Sequence, residues 1–294
     1  MTKSLAFLLL QVLLTTGAWA SQSAPKALAQ PDDRYKADIL VVVAHPDDEA
    51  LWLSAVVASV ERVVFGFGAA FEKPQRSEAR RQAVAALPLS GIVNLEIPES
   101  GAGWKAYQTQ PRLSPSGVEI SDATVRERYE ANYVKLLEGL RASLAGCRDV
   151  YTHNPWGEYG HSEHIQVYKA VTALQDELGY TVWFSNYVGA RNWTFVRGLA
   201  ERLDWARRCV VRPDIATARA LMHVYRHYGA WTWPRVHRWP ACEVMYAQPP
   251  SSSPDLRRPL SGEWLLDLGR LRWWPPPWRS AWRRLGDPPR AAMV

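Results

Sequence analysis

The apolar positions of this chain fall into short uninterrupted runs separated by longer segments with helical spacing. The run Ile39-Leu40-Val41-Val42-Val43 shows no polar alternation and is mostly β-branched, the pattern of a strand buried on both faces. Arg62 to Gly68, Asn94 to Gly101 (ending in a loop), Asp149 to Thr152 and Thr181 to Phe184 read as further strands. Ala50 to Val60, Arg76 to Leu87, Thr124 to Leu144, Ile165 to Leu178 and Ile215 to Tyr228 read as helices, and residues 102–122 as an irregular excursion. Strands and helices that alternate in this way predict an α/β fold: a Rossmann-like, mostly parallel sheet flanked by helices, with right-handed crossovers. An aromatic-rich extension follows it at the C-terminal end.

Two polar clusters stand at strand ends, and in open α/β sheets the carboxyl edge is where ligands sit. The first is Ala44-His45-Pro46-Asp47-Asp48-Glu49. His45 and Asp48 are three apart, so one tight loop or first helical turn can direct both at a single cation. An imidazole and a carboxylate oxygen are a partial zinc shell, with metal distances of about 2.0–2.2 Å. Asp47, between them, can stay unligated and act as a base. Alone, the cluster also reads as a helix N-cap with a solvated first turn.

The second cluster lies in Tyr151-Thr152-His153-Asn154-Pro155-Trp156-Gly157-Glu158-Tyr159-Gly160-His161-Ser162-Glu163-His164. His161 and His164 share a face if the helix has begun. His164 then completes a shell of two histidines and one carboxylate, leaving one position for water, as a catalytic zinc site requires. A lone pair of histidines at this spacing is also an ordinary helix surface feature. Two such clusters, each ending a strand, favour the metal site.

AHPDDE after an apolar strand, with a later GHxxH, resembles the PIG-L/LmbE-like de-N-acetylases, over roughly residues 38 to 190. The resemblance implies zinc held by His45, Asp48 and His164, Asp47 as general base, and His161 and Tyr159 as stabilisers of the oxyanion. Glu163 departs from the family, which more often has Asp between the two histidines. The implied reaction is hydrolysis of the N-acetyl group of an amino sugar in a glycan, glycolipid or glycoconjugate. Zinc lowers the pKa of bound water toward about 7 and polarises the acyl oxygen, and Asp47 takes the proton and returns it to the leaving nitrogen. A protonated His161 or the Tyr159 hydroxyl donates to the oxyanion, with Glu163 able to hold His161 charged or, equally, to be a solvated helix residue. Iron, cobalt or manganese also suit this donor set. Two other readings remain: a zinc amidase for a non-sugar N-acyl substrate, and a non-catalytic glycan-binding protein on the same fold.

Further residues are candidate substrate contacts. Arg76 can reach a phosphate or carboxylate, or can lie on a solvated, ion-paired helix face. Glu99 can meet sugar hydroxyls. Trp231 and Trp233, with Trp239, can form a stacking wall or pack a lid against the core. His223 and His227 have metal-binding spacing but no third ligand nearby, which suits a wet helix face.

The chain ends carry other signals. Residues 1–20 read as a secretory signal peptide, with Lys3, an apolar core from Ser4 to Leu14 and the cleavage site Ala18-Trp19-Ala20. An uncleaved anchor is the alternative. Residues 21–35 form a flexible lead-in, 36–245 the deacetylase-like domain, and 246–294 a Pro/Arg/Trp-rich tail. The expected location is therefore secreted or periplasmic. The tail can be disordered or can contact an anionic membrane or glycan. The net charge of +6 raises the question of nucleic acid, but an exported chain without a recognition motif is not expected to bind it. Three cysteines are too few for a disulfide scaffold, though Cys209 and Cys242 can bridge in an oxidising compartment.

Overall fold

Seven strands form one sheet in a computed structural model, which describes residues 38–103, 111–233, 237–271 and 282–285. The strands are β1 (Ile39–Val43), β2 (Arg62–Phe65), β3 (Ile92–Asn94), β4 (Asp149–Thr152), β5 (Thr181–Ser185), β6 (Arg207–Val211) and β7 (Glu243–Gln248), in the spatial order β6-β7-β5-β4-β1-β2-β3. Pairings from β5 through β3 are parallel, and β7 runs antiparallel to both β5 and β6. The Rossmann-like, mostly parallel sheet expected from the sequence is present.

The apolar run of β1 lies at the centre because both of its faces are covered. Its register sets Val42 opposite both Val64 and Thr152. Leu40, Val42 and Ala44 point to one layer with Leu136, Leu140 and Leu144 of α3 (Ala123–Leu144) and Val167 and Val171 of α4 (Ser162–Leu178). Ile39, Val41 and Val43 point to the other, with Leu51 and Trp52 of α1 (Asp48–Trp52), Ala83 and Val84 of α2 (Pro74–Ala85) and Leu221 and Tyr225 of α6 (Ile215–His227). Another helix, α5 (Trp193–Ala200), buries Trp193 and Val196 on the first layer. The two-residue period of a strand produces this division.

Chain order makes a site at one place. From β1 the chain moves outward to β2 and β3, then returns through α3 to β4 on the other side of β1. Strand order reverses between β1 and β4, and the edge beyond the carboxyl ends at such a point is where open α/β sheets bind ligands. The two polar clusters follow these two strands.

Several elements differ from expectation. The helix predicted over Ala50 to Val60 stops at Trp52, and a separate 3₁₀ turn covers Val57–Ser59. All five α1 residues are buried, so packing and not propensity holds this turn; Val56 and Val57 beyond it are β-branched and stiff. The third strand begins at Ile92, two residues before Asn94, and it ends where Asn94 pairs with Phe65. Beyond residue 190 the sheet gains β6 and β7, and the expected boundary at 246 falls inside β7. Part of the tail belongs to the fold. Leu260, Leu265 and Leu266 are buried, and the strand Trp264–Asp267 pairs with Tyr187–Val188 and Trp282–Arg284. The signal peptide, the lead-in and the 273–278 Trp/Pro run lie outside the described residues. All three cysteines are free thiols. No helix among the described residues is long and apolar enough to cross a membrane.

Candidate metal centre

Asp47 caps α1 with φ 113°, a left-handed conformation that non-glycine residues rarely adopt. That turn sends Asp47 and Asp48 in different directions. Asp48 Oδ2 accepts from the His45 backbone N–H at 2.8 Å and lies 3.2 Å from His45 Nδ1 and 3.3 Å from His164 Nε2. Its Oδ1 accepts from Trp52 Nε1 at 3.0 Å. Burial opposes ionisation of Asp48, but His164, His153 and His45 override it and hold the carboxyl well below its usual range.

Asp47 Oδ2 instead accepts from the backbone N–H of Thr232 at 2.9 Å and from its hydroxyl at 2.7 Å. Burial and the nearby Asp48 charge push the Asp47 carboxyl up to about 6, against the Thr232 hydrogen bonds and Arg80. Glu49 accepts from the Tyr225 hydroxyl at 2.7 Å and from the Asp47 N–H at 3.2 Å, and burial raises it to about 8.

The second cluster folds as a tight loop into α4. Gly157 has φ 65°, and a Cβ there would stand 2.6 Å from the His161 carbonyl oxygen, so the turn requires glycine. His161 becomes the N-cap of α4, and His164 lies one turn inside it. The ring of His161 is 4.8 Å from that of His45 and 4.6 Å from that of His164. Tyr159 sits against both, at 5.9 Å from His161 and 5.4 Å from His164.

Of the predicted ligands, His45 and His164 each meet Asp48 Oδ2, but the three do not form one mutually close group. Ligand atoms of His45, His161 and His164 lie within 4.8 Å of one another, and so do those of Asp48, His153 and His164, and those of His45, Glu99 and Glu163. His164 Nε2 and His161 Nδ1 are buried without a hydrogen-bond partner. His164 Nδ1 is 2.7 Å from Glu158 Oε2, so in the neutral ring the proton sits on Nδ1 and the Nε2 lone pair faces the Asp48 carboxylate. Two electron-rich atoms facing each other inside a protein suit a cation between them. These buried donors can hold a divalent metal.

Glu163 differs from its expected use. Its Oε2 is 2.9 Å from His45 Nε2, and its Oε1 accepts from the Ser100 N–H at 2.7 Å and the Ser100 hydroxyl at 2.8 Å. It orients His45 instead of holding His161 charged. Burial, together with His164 and His45, pushes His161 well below its ordinary value, against the protonated ring expected from the sequence.

The substrate candidates separate. Arg76 is exposed on α2, whereas Arg80, one turn on, is buried and donates to Glu99 Oε1 at 2.6 Å. Glu99 Oε1 is also 3.6 Å from His45 Nε2, so Glu99 reaches the centre. Trp233 packs 5.1 Å from Tyr159 and 5.0 Å from Trp52. Trp231 lies against Tyr225 at 6.5 Å, and Trp239 Nε1 donates to the Ala50 carbonyl at 2.8 Å, so both serve packing. The sequence assigned nothing to His153, Glu158 or Thr232, and marked Arg80 only as one of several helix arginines able to reach a substrate anion. Arg80 shares a helix face with Arg76 and Glu158 precedes Tyr159; Thr232 had no signal.

No family model and no curated protein matches the chain. Solved structures similar to it include a deacetylase–teicoplanin complex from the teicoplanin biosynthesis pathway, at 14% identity and TM-score 0.48 over 71% of this chain and 97% of that one. The zinc-inhibited form of teicoplanin deacetylase Orf2 is similar at 14% identity and TM-score 0.47, over 73% and 99%. The N,N'-diacetylchitobiose deacetylase from Pyrococcus horikoshii, with its inhibitor MPG, is similar at 13% identity and TM-score 0.38, over 67% and 71%. In its two motifs, now brought together at one sheet edge, this chain resembles the PIG-L/LmbE-like de-N-acetylases.

Proposed function

We propose that the protein is an exported, zinc-dependent de-N-acetylase acting on an N-acetylated amino sugar. The observation that carries the reaction class is the division of labour between adjacent carboxylates. Asp48 Oδ2 lies 3.2 Å from His45 Nδ1 and 3.3 Å from His164 Nε2, while the Asp47 carboxylate is held separately by Thr232. A site that only held a metal would have no use for a second, differently aimed carboxylate. His45, Asp48 and His164 would hold the zinc, which when bound supplies Lewis acidity toward the acyl oxygen and a more acidic water.

The chain's own residues do the rest. With Oδ2 fixed by Thr232, Asp47 uses Oδ1 to take the proton of the attacking water and to pass it to the leaving nitrogen. Burial and the neighbouring Asp48 raise the Asp47 carboxyl above the usual range, which favours accepting a proton near neutral pH. His161 and Tyr159 stand beside His164 and donate to the oxyanion. The amino-sugar substrate follows from the motif resemblance, and the Trp233 and Tyr159 rings offer it an aromatic wall. Export rests on the signal-like first 20 residues.

The test is acetate release by the zinc-loaded protein from a panel of N-acetylated amino sugars and N-acetylated amino acids. Release from sugars alone is the expected result. Release from amino acids alone would make the protein an amidase of another class. Sugar binding without release, by a metal-loaded protein, would leave the glycan-binding reading.

A further inference from the structure

We infer that Glu158 is a positioning residue that holds two neighbouring imidazoles as Nδ1–H tautomers, so that His164 Nε2 is left free to bind metal while the Ala44 N–H occupies His153 Nε2. The inference rests on the proposed role of His164 as a ligand. Glu158 is fully buried, in the loop between β4 and α4. Its Oε2 lies 3.0 Å from His153 Nδ1 and 2.7 Å from His164 Nδ1. Its Oε1 accepts from the Asn154 N–H at 3.1 Å, and its own N–H donates to Asn154 Oδ1 at 2.8 Å. A carboxylate only accepts, so both imidazoles present Nδ1–H to it.

The two rings are nearly equivalent up to this point. They stack with centroids 3.9 Å apart and an interplanar angle of 21°, and both turn Nε2 toward Asp48 Oδ2, at 3.5 Å for His153 and 3.3 Å for His164. They differ in what Nε2 meets. His153 Nε2 accepts from the Ala44 N–H at 2.8 Å, so its lone pair is used. His164 Nε2 makes no hydrogen bond. The chain Ala44–His153–Glu158–His164 thus pins the end of β1 to the first turn of α4. It spends one histidine on position and leaves the other as donor. Outer partners of this kind fix the tautomer and ring orientation of metal-binding histidines.

Glu158→Gln preserves size but places an amide NH₂ where a second acceptor stood, against a donor. Zinc affinity is expected to fall about 10- to 100-fold. The loss of activity at saturating zinc should appear in kcat, with KM changed by no more than about twofold, because no substrate contact is removed. Glu158→Asp, which keeps the charge, should recover part of the affinity. Ring ¹⁵N NMR of the metal-free wild type should show Nδ1–H tautomers at His153 and His164, and a shift of His164 toward Nε2–H in Glu158→Gln. Unchanged zinc affinity in Glu158→Gln, or Nε2–H at His164 in the wild type, would overturn the inference. Should Glu158→Gln not fold, the wild-type spectrum decides alone. A wild type that takes up no zinc would instead defeat the metal-centre reading, while the tautomers still test Glu158.

Discussion

Asparagine at position 47 is expected to lower kcat by about 10²- to 10⁴-fold while the protein keeps its metal. The substitution is nearly isosteric, and an amide oxygen can still accept from the Thr232 N–H and hydroxyl that hold Oδ2. What disappears is the ability to carry a proton between water and the leaving nitrogen. Asp47 is not among the grouped donors, so metal content should stay at the wild-type level. Elemental analysis beside steady-state kinetics checks both halves. Wild-type turnover in Asp47→Asn would remove the base and with it the proposed mechanism, whereas loss of metal would mean that Asp47 is itself a ligand.

Alanine at position 48 should have the opposite signature: metal lost, and activity reduced to that of the metal-free protein. Asp48 joins the two motifs, since its Oδ2 meets His45 and faces His164. Alanine also strands the His45 N–H and Trp52 Nε1, both buried, and each unsatisfied group costs about 1–3 kcal/mol. Loss of metal could then be confused with loss of fold. Asp48→Asn separates them, because its oxygen can satisfy a stranded donor while the negative charge is gone. Thermal unfolding by circular dichroism, read with elemental analysis, should show Asp48→Asn near wild-type stability yet poorly loaded. Full metal content in both variants would exclude Asp48 from the shell.

The sheet and both clusters were legible because their signals are local. β1 announces itself by an apolar run with no alternation, and β-branched strands followed by polar turns mark the carboxyl edge. The meeting of His45 with Asp48 was legible for the same reason, since both lie a few residues past such a strand, whereas His164 was read from its spacing to His161 at the start of α4. Buried polar partners carry no comparable period. Nothing in the spacing tells that Glu163 turns to His45 and Ser100 and leaves His161 alone. Arg76 and Arg80 occupy one helix face, and only the packing of α2 on the sheet shows that Arg80 is inside. Thr232 lies 185 residues from Asp47, joined through a loop after α6 that no pattern connects to the first motif. The C-terminal strands escaped notice because Pro and Arg mask short apolar pieces such as Trp264–Asp267.

The φ of 113° at Asp47 has a further meaning. Strain of this kind costs about 1–3 kcal/mol and persists only where the surroundings enforce it. Glycine would occupy the same backbone at ease, so a chain selected for nothing but durability would carry glycine at 47. This one keeps a carboxylate on a reluctant backbone between β1 and α1. Under the proposed mechanism, tolerance to heat and capacity for turnover compete at that single residue.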